Sequence, residues 1–374
     1  MTTRRNLPAA ARDERFMREA LALAAPMLGL TSPNPAVGCV IVQADRRSDK
    51  VVGRGATAAG GRPHAETRAL AEAGRRARGA TAFVSFEPCA HQGQTPPCAR
   101  ALIEAGVARV VVGCRDPYPL VRGRGLAMLR RAGIKTTLGV LEDECLRLNE
   151  GFITRVTRGR PFGILKLATT LDGRIATASG DSRWISSAAS RELVHRWRRE
   201  CDAVMVGAGT VIADNPRLSC RLPQGRDPAR VIVDAQLRCD PAARVFRQRS
   251  KAPTIVVTTP KNLSRAAARY GKRVEVIAVP RDREGVDLAH LMRELAGRGW
   301  SRVLIEGGAR LAGSALRARI VDRVAFFVAP KILGGGRSAV EGLASRTMRD
   351  ALQVANFSAR PVGDDWLLEA ELVD

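Results

Sequence analysis

Aromatic side chains are scarce: Phe, Trp and Tyr together make up 4% of the 374 residues. The cores must be filled by Ala, Val, Leu and Ile, which suits helices laid on buried, mainly parallel sheets. Long apolar runs are also missing. The first fifteen residues are polar and charged, with no apolar stretch of signal-peptide length behind them, and no later run is long enough to cross a bilayer. A cytoplasmic chain with no membrane partner is expected. Eight cysteines without a secretory signal do not read as a disulfide framework but as buried thiols or metal ligands. Acidic charge is short as well: 61 Lys and Arg stand against 37 Asp and Glu, a net +24 carried mostly by Arg spread along the chain. Dense basic tracts and basic patches interleaved with stacking aromatics are both lacking. A phosphate-bearing small substrate is therefore favoured over nucleic acid as the partner.

The chain is about twice the usual length of one domain, and 45% hydrophobic composition can fill two cores. From Asp13 to Leu28, Phe16, Ala20, Leu21, Leu23, Ala24 and Met27 recur at helical spacing, and Ser32-Pro33-Asn34-Pro35 stops the pattern. Val37 to Val42 and Val51 to Gly55 read as strands joined by a charged turn, and His64 to Ala77 as a helix. Strands at Ala82 to Ser85, Val107 to Gly113 and Ile134 to Leu138 then alternate with helices at Pro97 to Ala105 and Gly125 to Ala132, giving one three-layer α/β unit. A helix from Asp143 to about Val156 runs into Thr157-Arg158-Gly159-Arg160-Pro161, where breakers mark a boundary between domains of residues 1–156 and 157–374. Beyond it, buried strands are expected at Phe162 to Ala168, Ala203 to Val206, Arg230 to Val233, Thr254 to Val257, Val274 to Ala278, Arg302 to Ile305 and Val324 to Ala329. Asp365 to Leu372 is expected as an antiparallel edge strand. No repeat is visible.

One constellation carries chemistry. His64-Ala65-Glu66 opens a predicted helix, and Pro88-Cys89 and Cys98 follow a predicted strand and open the next helix. Zinc takes imidazole and thiolate, and three protein ligands with a fourth position left for water is its catalytic pattern, which His64, Cys89 and Cys98 can supply. Glu66 is then the acid/base that moves a proton from water to departing ammonia. H-x-E followed by P-C-x-x-C is the zinc deaminase signature, but the second pair here is spaced C-x8-C. The inserted Ala90-His91-Gln92-Gly93-Gln94-Thr95-Pro96-Pro97 argues against an ordinary nucleoside or transfer-RNA deaminase.

The run Glu87-Pro88-Cys89-Ala90-His91-Gln92-Gly93-Gln94-Thr95-Pro96-Pro97-Cys98, with Pro33-Asn34-Pro35-Ala36-Val37-Gly38 and Pro63-His64-Ala65-Glu66, resembles the bifunctional riboflavin-biosynthesis deaminase-reductase family. The resemblance covers about Arg12 to Glu371. It implies a cytidine-deaminase-like three-layer domain that deaminates a phosphoribosylated diaminopyrimidinone, with zinc on His64, Cys89 and Cys98, Glu66 donating the proton and Asn34 touching the pyrimidine ring. From the sequence alone, Asn34 between two prolines reads rather as a turn residue.

For the second half the resemblance implies a dihydrofolate-reductase-like α/β domain that reduces the ribosyl group to ribityl with NADPH. Leu165-Lys166-Leu167-Ala168-Thr169-Thr170-Leu171-Asp172-Gly173-Arg174-Ile175-Ala176 looks like the family's first strand and turn, with Thr170 where Ser is usual. Asp214-Asn215-Pro216-Arg217-Leu218 is the clearest anchor. Carried over by position, Ala168, Trp184, Thr210 and Asp214 face NADPH, while Ser182, Arg198, Leu218 and Arg221 face the substrate. Arg198 and Arg221 suit a substrate phosphate, since a guanidinium gives two parallel hydrogen bonds to its oxygens. Ile305-Glu306-Gly307-Gly308 follows a buried strand and opens a helix, so its glycines allow close approach of a phosphate, although a tight strand-to-helix turn explains them equally. By resemblance Glu306 meets the substrate, and Gly308, Ala309, Arg310, Leu311, Ala312, Gly313 and Ser314 meet the dinucleotide. Ala235 stands where the family often presents a Ser to the cofactor, and Lys166 is a further candidate for contact with the substrate. Hydride transfer needs few titrating side chains, because the nicotinamide carries the chemistry.

Two other readings stay open at this level. One is an RNA-acting zinc deaminase with a basic accessory domain, which the net charge favours and the C-x8-C spacing opposes. The other is a structural zinc site closed by a fourth protein ligand, for which His91 is the nearest candidate. A homo-oligomer is left open.

Overall fold

The computed structural model describes residues 9–44, 49–92, 96–119, 121–223, 225–283, 285–343 and 345–373. The charged turn expected between the first two strands, and Gly93, Gln94 and Thr95 of the inserted motif, lie outside the described residues. The chain divides into two compact units, Met1–Gly159 and Arg160–Asp374. Among the described residues no helix is long and apolar enough to cross a membrane.

The first unit runs α1 (Ala9–Ala24), β1 (Gly38–Ala44), β2 (Asp49–Ala56), α2 (Ala65–Ala73), β3 (Thr81–Phe86), α3 (Cys98–Glu104), β4 (Arg109–Cys114), α4 (Arg124–Arg131), β5 (Lys135–Leu138), α5 (Glu142–Leu148) and α6 (Glu150–Arg158). Its sheet has the order β2-β1-β3-β4-β5, antiparallel about β1 and parallel from β3 onward. Alternation along β1 assigns its faces: Gly38 abuts the Ala20 carbonyl of α1, while Cys39 on the opposite face feels the charge of Glu66 on α2. The sheet thus has helices on both faces, the expected three layers. Valines, alanines and few aromatics fill the core; the pair Phe16–Phe83, with centroids 5.1 Å apart, joins α1 to β3.

Two glycines set how closely α2 lies on the sheet. A Cβ on Gly53 would stand 2.2 Å from the Ala69 carbonyl oxygen, and one on Gly55 2.1 Å from that of Ala65. Backbone contact between strand and helix is possible only without those methyl groups. The single helix expected from Asp143 to Val156 is instead two, broken at Asn149. The buried carboxamide of Asn149 accepts from the Ala36 amide at 2.9 Å and donates to the Ala36 carbonyl at 3.1 Å, a demand that local periodicity does not register.

The second unit runs β6 (Phe162–Thr170), β7 (Arg174–Ala176), α7 (Ala188–Glu200), β8 (Ala203–Gly207), α8 (Ala208–Asp214), β9 (Ala229–Val233), β10 (Thr254–Thr258), α9 (Leu263–Tyr270), β11 (Glu275–Ala278), α10 (Leu288–Gly297), β12 (Arg302–Ile305), α11 (Ala309–Arg317), β13 (Arg323–Ala329), β14 (Arg337–Ser338), β15 (Val354–Val362) and β16 (Asp365–Leu372). The main sheet has the order β11-β10-β9-β8-β12-β6-β13-β16-β15, parallel through β13. Alternate residues of β8 enter different cores: Ala203 and Met205 pack with α10 and α11, Val204 and Val206 with α8 and α9. Burial on both faces explains the unbroken apolar runs of these strands. Strand β16 is antiparallel as expected, but it is covered on its outer side by β15, so β15 is the edge. Its residues Val354–Pro361 are all exposed and lack the apolar alternation that would reveal a strand.

Strand β12 inserts between β8 and β6, so the connections from β6 and β12 leave in opposite directions. Clefts at the carboxyl ends of strands around such a switch point are where open parallel sheets bind ligands. Glu306, Gly308 and Thr210 all fall there.

Gly55→Ala is expected to cost the first unit about 1–3 kcal/mol, the range for overpacking. Calorimetric unfolding reads this directly, and an unchanged midpoint would refute the backbone-contact argument.

Candidate functional site

The three metal-ligand candidates converge. The ligand atoms of His64, Cys89 and Cys98 all lie within 4.8 Å of one another. His64 caps the start of α2 in extended conformation, and Cys98 is the first residue of α3. His64 Nδ1 is 3.2 Å from Cys98 Sγ and 3.7 Å from Cys89 Sγ. Tetrahedral zinc, with nitrogen at about 2.0–2.1 Å and sulfur at about 2.3 Å, separates N from S by about 3.6 Å. The donor set fits. Among the described residues no fourth His, Cys, Asp or Glu joins the cluster, and His91 is exposed outside it.

Charge inside the cluster is shared unevenly. Hydrogen bonding from the Cys98 thiol, together with the His64 ring, pulls the Cys89 thiol down to about 4, and the same bond pushes Cys98 up. The Cys98 backbone amide also points at Cys89 Sγ, at 3.3 Å. His64 is raised, first by its bond to Cys89. A divalent cation among these atoms favours both thiolates, since a coordinating thiol is deprotonated outright. Glu66, in the first turn of α2, is buried, and that burial raises its carboxyl to about 7, helped by the charge of Cys89.

The support of this cluster was largely invisible in the sequence. Glu87, buried just before Pro88-Cys89, accepts the Gly123 amide at 3.0 Å and the Leu126 amide at 3.2 Å at the start of α4, and the Asp116 amide at 3.3 Å. A carboxylate there satisfies free amides and suits the helix dipole. Gly125 lets α4 touch the Pro88 carbonyl, which a Cβ would approach to 2.0 Å. Asp116 is a second buried acid near Cys89, raised by burial to about 6. Asn34 donates to the Gly61 carbonyl at 2.9 Å, three residues before His64, and Asn149 pins the same loop through Ala36. The one sequence signal for Asn149 was a poor helix former inside a helical pattern.

In the second unit the structure joins some of the candidates. Arg198 on α7 grips Glu306 with both edges of its fork, Nε to Oε1 at 2.6 Å and Nη2 to Oε2 at 2.7 Å, and gives Nη1 to the Ser219 carbonyl at 3.1 Å. Burial alone would raise the Glu306 carboxyl, but Arg198, with Lys166, holds it below the usual range. Burial lowers Lys166 in turn, with Glu306 opposing, and its ammonium lies 5.6 Å from the Phe327 ring centre. The bidentate edge of Arg198 is thus already engaged, while Arg221 is exposed. The Gly308 amide donates to Thr210 Oγ at 3.2 Å, tying α8 to the start of α11.

The remaining candidates are spread around the same carboxyl edge. Ala168 lies on β6. Ser182 is half-buried, and Trp184 is 64% exposed with the Arg191 guanidinium 4.5 Å from its ring centre. Asp214 ends α8, raised by burial, and its carbonyl accepts from Arg183 at 2.8 Å. Leu218 is buried, and the Ala235 carbonyl accepts from Asn262 at 2.7 Å. Along α11 the candidates divide: Leu311 and Ala312 point into the core and Gly313 packs on the Glu341 carbonyl, whereas Gly308 and Ala309 open the helix and Arg310 is exposed. Ser314 accepts from Arg317 at 3.1 Å. His195, on the same helix as Arg198, carried no sequence signal. Burial and the charges of Arg198 and Arg221 lower its pKa, and its buried Nδ1 lacks a partner among the described residues.

Two family models match separate parts of the chain. Residues 10–114 match the family described as the cytidine and deoxycytidylate deaminase zinc-binding region, and residues 161–368 match the RibD C-terminal domain. The chain is 41% identical to the riboflavin biosynthesis protein RibD of Aquifex aeolicus, over 95% of this chain and 97% of that protein. It is 39% identical to that of Escherichia coli, over 95% and 98%. A crystal structure of a diaminohydroxyphosphoribosylaminopyrimidine deaminase/5-amino-6-(5-phosphoribosylamino)uracil reductase from Thermotoga maritima superposes with a TM-score of 0.84 at 37% identity, covering 98% of this chain and 100% of that one.

The purified protein is expected to carry about one zinc per chain, lost on chelation and in Cys98→Ser. Metal analysis decides it: full zinc in both Cys98→Ser and His64→Ala would move the site elsewhere.

Proposed function

The chain belongs to the RibD family of riboflavin-biosynthesis enzymes, which joins a deaminase to a reductase, and from that membership we propose how its residues divide the work. The first unit deaminates a phosphoribosylated diaminopyrimidinone hydrolytically; the second reduces the ribosyl group of the product to ribityl. The observation that carries the first assignment is the convergence of one imidazole and two cysteine sulfurs with a buried carboxyl group beside them.

His64, Cys89 and Cys98 would hold zinc, which would supply Lewis acidity toward the attacking water. Glu66 accepts the proton of the attacking water and returns it to the ring amine, so that ammonia leaves. A carboxyl raised to about 7 by burial is matched to both transfers, being able to take and to give a proton near neutrality. Asn34, held at the Gly61 carbonyl, borders the pocket and orients the ring. Glu87 and Asn149 are positioning residues: the first fixes the segment leading to Cys89, the second the loop around Asn34.

In the second unit bound NADPH would supply the hydride. The first turn of α11 offers the amides of Ala309 and Arg310 to its phosphates, at the end that the bond from the Gly308 amide to Thr210 braces. Trp184, Asp214, Ala168 and Ala235 border the dinucleotide, with a methyl of Ala235 in place of a hydroxyl. Lys166 and Glu306 present a donor and an acceptor to the sugar, and Arg198 acts on the substrate chiefly by holding Glu306. Ser182, Leu218 and Arg221 complete the pyrimidine side, with Arg221 the exposed guanidinium available to the phosphate.

Glu66→Gln is expected to lower ammonia release at least about a hundredfold while NADPH oxidation of supplied deaminated intermediate continues. Loss of both activities in a variant that melts like the wild type would overturn independent sites. Glu306→Gln should do the reverse, leaving Arg198 without its carboxylate and reducing NADPH oxidation by about 10–100-fold at unchanged deamination. Steady-state assays of both products measure each effect.

A further inference from the structure

Four arginines outside the sites described above share one hollow. Arg217, Arg244, Arg247 and Arg249, with Ala242 and Gln248, line a concavity of about 460 Å³ in the second unit. No carboxylate lines it, and among the described residues none of the four guanidiniums has a hydrogen-bond or ion-pair partner. Elsewhere in the chain arginines commonly find acids, as Arg12 finds Asp49 and Arg109 finds Asp13.

The wall of the hollow is built. The Arg244 amide donates to Asn215 Oδ1 at 2.8 Å, and the Gln248 side chain donates to the Arg217 carbonyl, so the loops after α8 and β9 brace each other. Val245 and Phe246 are buried in the same apolar cluster as Leu218, which leaves Arg244 and Arg247 exposed on either side of the anchor. Like charges gathered on a braced frame raise the local potential and concentrate anions of matching shape. Guanidinium forks match the oxygens of a phosphate. Arg217 directly precedes Leu218 and lies four residues from Arg221, the two neighbours that the proposed function places at the pyrimidine.

We propose that this hollow captures the phosphate of the phosphorylated pyrimidine and stages it beside residues 218–221 before reduction. The assignment rests on reading the second unit as the reductase. The hollow acts on encounter: it raises kcat/KM for the phosphorylated substrate and leaves kcat alone.

The test is the triple variant Arg244→Gln, Arg247→Gln, Arg249→Gln in the full chain, assayed by NADPH oxidation with the deaminated phosphorylated intermediate across ionic strength, with calorimetric unfolding of the second unit as the control for folding. At low salt kcat/KM for the pyrimidine is expected to fall about 5–20-fold, with kcat and the KM for NADPH unchanged. The gap should close near 1 M salt, where the screening length shrinks to about 3 Å. The dephosphorylated pyrimidine should not distinguish variant from wild type. Unchanged kcat/KM and salt dependence overturn the proposal, and so does a rise in the KM for NADPH instead. If the wild type oxidises no NADPH, the reductase reading itself fails. Calorimetry with inorganic pyrophosphate then still decides the anion site: binding lost in the triple variant supports it, and no binding to the wild type overturns it.

Discussion

A helix can rest on a strand at backbone distance only where the strand carries no side chains, and β2 meets that condition at Gly53 and Gly55. The deaminase site depends on this contact. It sets the depth of α2, and α2 carries His64 at its cap and Glu66 in its first turn. Depth also governs the chemistry of Glu66, because burial is the largest cause of its raised pKa. A shallower helix would leave Glu66 in water as an ordinary acid, permanently ionised at neutral pH and a poor donor. The same contact therefore aims one metal ligand and tunes the proton carrier.

The second unit reaches its polar site by a different route. Its sheet is covered on both faces, so polar side chains collect at the carboxyl ends of the strands, where β12 separates β8 from β6. Arg198 and Glu306 come from elements 108 residues apart and meet as a bidentate pair. Removing one partner of such a pair leaves a charge stranded in poorly solvated surroundings, which costs far more than the intact pair contributes. The pair works here as a fixture: it keeps Glu306 ionised and aimed next to Lys166.

What the sequence disclosed follows from what sequence can encode locally. The parallel strands stood out because burial on both faces demands continuous runs such as Ala203–Val206 and Thr254–Val257. The zinc ligands stood out because few side chains bind zinc, and His64, Glu66, Cys89 and Cys98 fall at the ends of predicted elements. Strand β15 did not, since an edge strand with exposed residues and Pro361 has no pattern to show. Nor did the break at Asn149, whose cause is Ala36, or the engagement of Arg198, which the sequence could offer only as one arginine among many. In each case the missing information was a partner distant along the chain.

The carboxamide of Asn149 also orders events in time. Its partner Ala36 precedes it by 113 residues. During synthesis at about 5–20 residues per second, the loop bearing Asn34 therefore waits roughly ten seconds for its anchor. His64, Cys89 and Cys98 have all emerged by then. The metal donors are thus all synthesised before the residue that pins the neighbouring loop.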